Sequence, residues 1–224
     1  MTKIEIENVS KTIHKNEVLH DISFTMQSGK IYGLQGINGS GKTMLMRTII
    51  GLIHPTEGSV KINGRTLGTE LEFPESIGFL LENPAFLDRY SGYSNLKLLA
   101  GIQNHISDAD IWETLRLVGL GEEASKKKYR KYSLGMKQRL GIAAAVMERP
   151  DIVILDEPTN SLDAAGVELV KGILQKQKER GALCIISCHD LSILEGLSDE
   201  IVKLEEGKLT EHINLHKGGG RNVS

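Results

Sequence analysis

Apolar and polar residues alternate near the N-terminus of the chain, as they do in half-buried β-strands. This alternation predicts strands at residues 4–7 and 18–26, followed by a short apolar strand at 30–34. A helical spacing of apolar residues then covers 42–51 and ends at Gly51, a residue type that commonly terminates helices. The pattern therefore predicts a β-rich start that leads into a strand, a loop and a helix.

The pattern becomes helical in the middle of the chain. After predicted strands at 59–62 and 77–81, helical periodicity covers three segments, 94–101, 107–118 and 134–147. Ser107 is followed three residues later by Asp110, a pair that can cap the second of these helices. The middle of the chain is therefore expected to be an inserted block of helices, at roughly residues 83–150.

Buried strands return in the last third of the chain. Strands are predicted at 152–155 and 183–187, with a helix at 164–179 between them. Two further strands, 201–204 and 208–213, flank Glu206-Gly207, a dipeptide typical of a hairpin turn. This order predicts an α/β core with a helical insertion, in one domain that spans 1–224. The Gly-rich, polar end at 217–224 is expected to be a flexible tail.

Composition narrows the possible functions. A chain of 224 residues suits one domain with a sizeable core, and its net charge of −2 does not favour a nucleic-acid binder. The N-terminus lacks an apolar signal sequence, and no apolar stretch approaches the roughly 20 residues of a membrane-spanning helix. Any role at a membrane is therefore expected to need a partner. Cys184 and Cys188 lack the spacing of a zinc site and are expected to be small buried side chains.

The loop at 36–43 carries the clearest chemistry in the sequence. It reads GINGSGKT and matches the phosphate-binding pattern G-x-x-x-x-G-K-[ST] at every fixed position, between a predicted strand and a predicted helix. Backbone N–H groups and the start of the helix can bind phosphate oxygens, Lys42 can reach the β- and γ-phosphates, and Thr43 can bind Mg²⁺. The nucleotide-binding residues predicted here are Asn38, Gly39, Ser40, Gly41, Lys42, Thr43 and Met44. The loop predicts binding of a nucleotide with Mg²⁺, and by itself it does not separate a kinase, a GTPase or a transport ATPase.

Two acids end the buried strand at 152–155. Carboxylates at the carboxyl end of a parallel strand point into the crevice where ligands bind. Asp156 is placed to bind Mg²⁺, directly or through water, and Glu157 is placed to accept a proton from the attacking water. Together with the phosphate-binding loop, these acids predict nucleotide hydrolysis.

A further motif precedes the acidic strand. In the segment 132–139, which reads YSLGMKQR, Ser133 is a predicted N-cap and Gly135 leaves the backbone open to close approach. Such a helix start is a second anion-binding end, distinct from the loop at 36–43. With this motif the chain resembles an ABC-type ATPase from about residue 3 to residue 213. The family signature is close to LSGGQ, so Ser133 and Gly135 match it, whereas Leu134 and Met136 depart from it.

The resemblance implies a fold and a function. It implies a P-loop NTPase core with an N-terminal antiparallel β-subdomain and an inserted α-helical subdomain. It also implies a cytoplasmic ATP-binding subunit that hydrolyses ATP, lies on the inner face of the membrane and powers export through a separate membrane-spanning subunit. The form of the signature is similar to that of bacitracin- and lantibiotic-resistance exporters, so an antimicrobial peptide or antibiotic is the implied substrate. In this family two ATPase subunits form a head-to-tail dimer around ATP, with Asp163 in the D-loop and His189 near the γ-phosphate. Asp163 is also a predicted N-cap of the helix at 164–179.

Two positions depart from the family pattern. The family usually has Gln after the strand at 77–81, where it senses Mg²⁺ and the attacking water, and this chain has Glu82. Glu82 is still an oxygen ligand, so it is retained as a catalytic and metal-binding candidate. The family also places an aromatic residue against adenine, where this chain has Ile13, which can pack against the base without stacking. His14 is the alternative for that contact.

The resemblance leaves two interpretations open at several points. The segment 84–99 is the expected contact with the membrane partner, and its anchors Phe86, Leu87, Tyr90 and Tyr93 are equally consistent with a helical core. The basic run 126–131 is interpreted as a solvated linker, with contact to acidic lipids as the minor alternative.

A soluble ABC-type ATPase in translation or DNA maintenance is the alternative function, although such proteins usually have paired ATPase domains or a long coiled-coil insertion. A binding module without hydrolysis is disfavoured by the intact Asp156, Glu157 and His189.

Overall fold

The chain folds around two β-sheets in the computed structural model, which describes residues 1–215 and 221–223. The strands of the described part are β1 (Lys3–Ile13), β2 (Asn16–Gln27), β3 (Ile31–Gln35), β4 (Glu57–Ile62), β5 (Arg65–Thr66), β6 (Ile77–Leu80), β7 (Ile152–Leu155), β8 (Leu183–Ser187), β9 (Glu200–Glu205), β10 (Lys208–Leu215) and β11 (Arg221–Val223). Its α-helices are α1 (Lys42–Ile50), α2 (Gly92–Gln103), α3 (Asp108–Leu117), α4 (Glu122–Lys126), α5 (Leu134–Val146), α6 (Ala164–Glu179) and α7 (Leu191–Leu197). Every helix and strand predicted from periodicity is present, with ends that differ by a few residues.

The N-terminal sheet is antiparallel and has the strand order β2-β1-β4-β5. Strand β1 pairs with β2 and with β4, so that Ile4 lies opposite Met26 on one side and Ile62 on the other. All three side chains are buried and belong to a core that also includes Leu45 of α1 and Leu34 of β3. The alternation along the first strands therefore arises because one face of this sheet packs against the phosphate-loop helix and the second sheet.

The second sheet is mixed and forms the centre of the molecule. Its order among the described residues is β11-β10-β9-β3-β8-β7-β6, with β9 through β6 parallel and β10 antiparallel to β9. Strands β7 and β8 are buried at every position, which explains their uninterrupted apolar sequences. The carboxyl ends of β3, β7 and β8 meet at one edge, so the loops that follow these strands come together there.

Helices α2 to α5 form the insertion between β6 and β7. Their buried side chains, among them Leu96, Leu115 and Leu140, share one core with Leu155 of the central sheet. The close contact between α5 and β6 depends on Gly78, where a Cβ atom would lie 1.7 Å from the carbonyl oxygen of Ala145. The insertion is therefore packed firmly against the strands that carry the acidic residues.

The helix caps predicted in this region are confirmed. Ser107 and Asp110 form a reciprocal capping box at the start of α3. The Ser133 hydroxyl accepts a hydrogen bond from Met136 N at 3.2 Å, and the Asp163 carboxylate accepts one from Gly166 N at 2.8 Å. These side chains define where α3, α5 and α6 begin.

The sequence pattern missed the shortest elements. Helices α4 and α7 and a 3-10 turn at Tyr129–Lys131 have too few residues to show a helical period. The five basic side chains of the run at 126–131 are exposed, as expected of a solvated linker, and only Tyr129 is buried in the core. Within the predicted tail at 217–224, residues 217–220 and 224 lie outside the described residues. Arg221–Val223 pairs with β10 as an antiparallel strand, because the outer edge of β10 offers free backbone partners.

The length and apolarity of a helix decide whether it can cross a membrane. In the part of the chain that the structure describes, no helix is both long enough and apolar enough to cross one. The longest of these helices, α6, has 16 residues and alternates buried with exposed positions.

Candidate functional site

A cavity of about 470 Å³ opens at the carboxyl edge of the central sheet. Loops after β3, β6, β7 and β8 contribute to it, together with the first turn of α1 and one residue of α5. Its lining residues are Val18, Asn38, Gly39, Gly41, Lys42, Thr43, Met44, Glu82, Asn83, Gln138, Asp156, Glu157, Asn160 and His189. The cavity thus brings together almost every residue that the sequence predicted for nucleotide and metal binding in one subunit.

The phosphate-binding loop wraps around the start of α1. Gly41 is the N-cap and has a φ of 105°, a conformation that side chains other than glycine rarely adopt. The turn between β9 and β10 supports the loop from behind, because Gly207 N donates to the Ser40 carbonyl at 3.0 Å. The loop is also tightly packed at Gly36, where a Cβ atom would lie 2.4 Å from the Leu204 carbonyl oxygen. The backbone N–H groups at the start of α1 consequently face the cavity as a fixed anion-binding end.

Lys42 is the cation of the cavity floor. Its ammonium donates hydrogen bonds to the carbonyl oxygens of Gly36 at 2.7 Å and Ile37 at 3.0 Å. Burial lowers the pKa of this ammonium below its ordinary value, while the nearby Glu157 and Asp156 oppose that shift. These two hydrogen bonds hold the Lys42 side chain against the loop that it would help to close around phosphate.

Thr43 and Asp156 meet across the cavity. The Thr43 hydroxyl donates to Asp156 Oδ2 at 2.8 Å, and the Ser187 hydroxyl donates to the other carboxylate oxygen of Asp156. Asp156 is buried, so these two hydroxyls fix the orientation of its carboxylate. The arrangement gathers a hydroxyl and a carboxylate, which are hard oxygen donors of the kind that Mg²⁺ prefers.

Glu157 lies beside His189 at the mouth of the cavity. Its Oε1 atom is 3.2 Å from His189 Nε2, without the alignment of a hydrogen bond, and both carboxylate oxygens are buried with no hydrogen-bond partner among the described residues. Burial raises the pKa of Glu157 above that of an ordinary carboxyl, and the nearby Asp156 adds to the shift, whereas His189 and Lys42 counter it. A carboxylate in this setting is suited to accept a proton.

Glu82 lies at the edge of the cavity. Its carboxylate pairs with the guanidinium of Arg47 at 2.5 Å, and its backbone has a φ of 55°. Arg47 is one helical turn beyond Thr43 on α1, so it presents a positive charge beside the position where the family has a neutral Gln. Glu82 lines the same cavity as the other metal-binding candidates, Thr43 and Asp156. The sequence did not indicate its ion pair with Arg47.

Three predicted contacts lie outside the cavity lining. Ile13 is half-buried at the end of β1, and the cavity is lined by Val18 of β2 in its place. The exposed His14 occupies the turn between these strands and does not line the cavity either. Ser40 is buried behind the loop, and its hydroxyl has no hydrogen-bond partner among the described residues.

The sequence interpretation missed four residues that line the cavity. They are Val18, Asn83, Gln138 and Asn160. Asn83 directly follows the catalytic candidate Glu82, and Asn160 lies three residues after Glu157. This proximity in sequence is the signal from which both could have been predicted. Nothing in the local pattern singled out Val18 or Gln138, because both enter the cavity through tertiary packing.

The predicted second half-site forms a separate groove of about 600 Å³. It contains Ser133 and Gly135 at the start of α5, together with Asp163 at the start of α6. The side chain of Leu134 is 69% exposed here, at the position where the family signature has its first glycine. Asn160 lines the first cavity whereas Ser161 to Asp163 line this groove, so one short loop connects the two sites.

The proposed partner-binding segment divides into two kinds of side chain. Phe86 packs edge-to-face on Tyr129, and Tyr93 stacks on Trp112 with ring centroids 4.5 Å apart, so both belong to the core of the insertion. Leu87 and Tyr90 are exposed at 54% and 48%. Exposed apolar residues continue along α2 at Leu98, Leu99 and Ile102.

The sequence was also compared with known proteins. Residues 19–160 match the family model described as ABC transporter. The chain is 48% identical over 206 residues to the uncharacterized ABC transporter ATP-binding protein YybJ of Bacillus subtilis, which covers 92% of this chain and 94% of the relative. It is 40% identical to the bacitracin transport ATP-binding protein BcrA of Enterococcus faecalis, over 98% of this chain and 71% of the relative. It is 36% identical to the lantibiotic transport ATP-binding protein SrtF of Streptococcus pyogenes, over 92% and 88%.

The fold was compared with solved structures. The structure of an ATP-binding subunit of an ABC transporter superposes with a TM-score of 0.84 at 29% identity, covering 95% of this chain and 90% of that one. The predicted α/β fold with an antiparallel sheet and helical insertion is thereby confirmed.

Proposed function

This chain belongs to the ABC transporter family as an ATP-binding subunit that hydrolyses ATP, and we propose that it powers substrate export through a separate membrane-spanning subunit. The observation that supports the hydrolytic step of this proposal is Glu157, a buried carboxylate beside His189 and in the same cavity as Lys42. In the proposed reaction Lys42 and the backbone N–H groups of the phosphate loop bind the β- and γ-phosphates. Glu157 accepts the proton of the attacking water, and His189 orients the γ-phosphate end.

Mg²⁺ is the proposed metal ion of the site. The contact between the Thr43 hydroxyl and the Asp156 carboxylate provides two adjacent oxygen donors, which fits this ion. Among the described residues, no group of three or more His, Cys, Asp or Glu side chains is placed to hold a metal ion. Mg²⁺ would therefore be held by few protein ligands and by phosphate oxygens, as is usual for this ion, with Glu82 as a further candidate. When bound, it neutralises charge on the β- and γ-phosphate oxygens.

A second copy of the chain is proposed to complete the site. The groove at Ser133 and Gly135 contains the start of α5, and Asp163 lines the same groove. In a head-to-tail dimer this groove would cover the γ-phosphate bound by the partner's loop and exclude water from it. Loss of the γ-phosphate on hydrolysis would remove this bridge and favour opening. Ile13 would reach adenine where the base extends beyond the cavity toward the hairpin of β1 and β2.

The membrane-spanning subunit is proposed to bind at Leu87 and Tyr90. These two exposed side chains follow the cavity residues Glu82 and Asn83 within eight positions of sequence, and this short connection would link partner binding to the nucleotide site. The relatives named for transport of bacitracin and of lantibiotics favour an antimicrobial peptide or antibiotic as the exported substrate. The chain would then work on the cytoplasmic face of the membrane.

A single substitution tests the hydrolysis proposal. Glu157→Gln removes the proton acceptor with little change in shape, so ATP turnover should fall by at least about 100-fold while ATP still binds. Gel filtration with ATP should then show a dimer that persists, because the γ-phosphate is not lost. Glu113→Gln, an exposed change on α3, serves as the matched control and should leave turnover unchanged.

Parental turnover in Glu157→Gln would rule out Glu157 as the base. Stimulation of turnover by RNA or ribosomes, and none by membranes, would favour the soluble ATPase that the sequence left as an alternative.

A matched pair of aromatic substitutions tests the membrane partner. Tyr90→Ala should lower the amount of chain recovered with membranes from cells that also contain the spanning subunit. Phe73→Ala removes an aromatic ring of similar exposure, 47%, outside the segment 84–99, and should not do so. Equal recovery of both variants would argue against a contact at Tyr90.

A further inference from the structure

Glu157 has an unusual backbone conformation for a residue with a long side chain. Its φ is 50°, in the left-handed region that favours glycine. Such a conformation persists only where the surroundings hold it in place. The Glu157 carboxylate has no hydrogen-bond partner among the described residues, so the side chain itself does not supply that support.

Hydrogen bonds to the backbone of Glu157 supply the support instead. Glu157 N donates to the Ser187 hydroxyl at 2.8 Å, which ties the residue to β8. The Glu157 carbonyl accepts two hydrogen bonds, from Asn160 N at 3.1 Å and from the Gln138 side-chain amide at 3.0 Å. Of these donors, Gln138 alone belongs to the helical insertion.

Gln138 is well placed to act as a rigid support. Its side chain is 93% buried, on the face of α5 that packs toward the cavity. Helix α5 is itself fixed against β6 by the close contact at Gly78. A buried amide with one good acceptor loses its hydrogen bond only at a substantial cost, so the contact restricts how the Glu157 peptide can turn.

We propose that Gln138 is a positioning residue for hydrolysis, which holds the Glu157 backbone so that the carboxylate points into the cavity. This inference rests on the proposed role of Glu157 as the base. It gives Gln138 no contact with ATP and assigns it an effect on turnover and not on nucleotide binding. It also connects the two half-sites of one chain, because α5 carries Ser133 at its start and Gln138 one turn later.

The test compares turnover with binding in two variants. Gln138→Met keeps the length of the side chain and removes the donor, and Gln138→Leu removes the donor with a shorter side chain that also carries no charge. Both should lower kcat by about tenfold or more, since small errors in the placement of a catalytic group are costly. The KM for ATP should stay within about twofold of the parent value in both.

The matched control is Gln177→Met, which alters another buried glutamine, on α6 and outside the cavity. It should keep kcat within about twofold, and thermal melting of all variants should show that each is folded. The inference is overturned if kcat is unchanged in Gln138→Met, if KM rises as much as kcat falls, or if Gln177→Met loses the same activity. Glu157→Gln distinguishes the proposed base from the proposed positioning residue. If Glu157→Gln is inactive and Gln138→Met is fully active, the inference about Gln138 fails and the role of Glu157 as the base is kept.

Discussion

The phosphate-loop cavity and the Ser133 groove are both proposed to bind phosphate, yet they are built differently. The cavity gathers Lys42 from α1, Asp156 and Glu157 from the end of β7, and His189 from the loop after β8. The groove consists of two helix starts and a loop, and its charged side chains are Arg139 and Asp163. We therefore expect proton transfer to depend on the cavity and the groove to contribute hydrogen-bond donors.

Among these variants, loss of the Lys42 ammonium should cause the largest fall in ATPase activity. Lys42→Ala removes the charge that binds the β- and γ-phosphates, and kcat/KM for ATP should fall by at least about 100-fold. Steady-state phosphate release measures it. Lys61→Ala, which breaks a surface pair with Glu7, is the control and should keep parental activity. Activity within tenfold of the parent in Lys42→Ala would mean that the cavity does not bind the phosphates in this way.

A cap substitution should separate the groove from the cavity. Ser133→Ala should lower turnover by about 10- to 100-fold, because a donor to the second nucleotide face is lost. The affinity of dilute, monomeric chain for ATP should not change, as measured by equilibrium titration.

Ser107→Ala is the matched control for Ser133→Ala. Both serines cap a helix through the same hydrogen bond, so both variants should lose about 1 kcal/mol of stability. If Ser107→Ala loses as much turnover as Ser133→Ala, the effect comes from the cap and not from the groove.

The pH dependence of turnover should report the cavity alone. Burial raises the pKa of Glu157, and the residue must be unprotonated to act as a base. Turnover should therefore fall as the pH decreases, by about tenfold per unit, with an inflection above the ordinary value for a carboxyl group. A pH profile of kcat measures it, and Ser133→Ala should give the same inflection at a lower rate. A shifted inflection in Ser133→Ala would mean that the groove takes part in proton transfer.

The ion pair at the cavity edge should give the smallest effect. Arg47 balances the charge of Glu82, so Arg47→Met should raise the KM for ATP by about threefold through repulsion of the triphosphate. In a Glu82→Gln background the same change should have almost no effect. A double-mutant cycle on KM measures this coupling, and additive effects would show that the pair has no role in binding.

The sequence predicted the parts of the site that depend on short segments. The loop at 36–43 and the acids Asp156 and Glu157 were recognisable because a strand, a loop and a helix fix their geometry locally. The caps at Ser133 and Asp163 followed from the same kind of local rule. These features needed no knowledge of which elements meet in space.

The remaining parts depend on packing between distant segments. Gln138 reaches Glu157 because α5 lies against β6, and nothing in the sequence around either residue states that contact. Which residue of the β1–β2 hairpin lines the cavity also depends on packing, and the sequence pointed to Ile13. Register shifts interrupt the pairing of β1 with β2 between Val9 and Thr12, so alternation alone could not show that Val18 would line the cavity.

The turn between β9 and β10 has a consequence for protein engineering. A Glu-Gly hairpin turn resembles the kind of surface tip that accepts an epitope tag or a circular permutation site. Here, however, Gly207 donates to the Ser40 carbonyl and accepts from His20 N at 2.8 Å, which fastens the turn to the phosphate loop and to β2. A tag inserted at this turn should therefore lower the affinity for ATP. Insertions are better placed at a tip such as Asn63-Gly64, where a Cβ on the glycine meets open space.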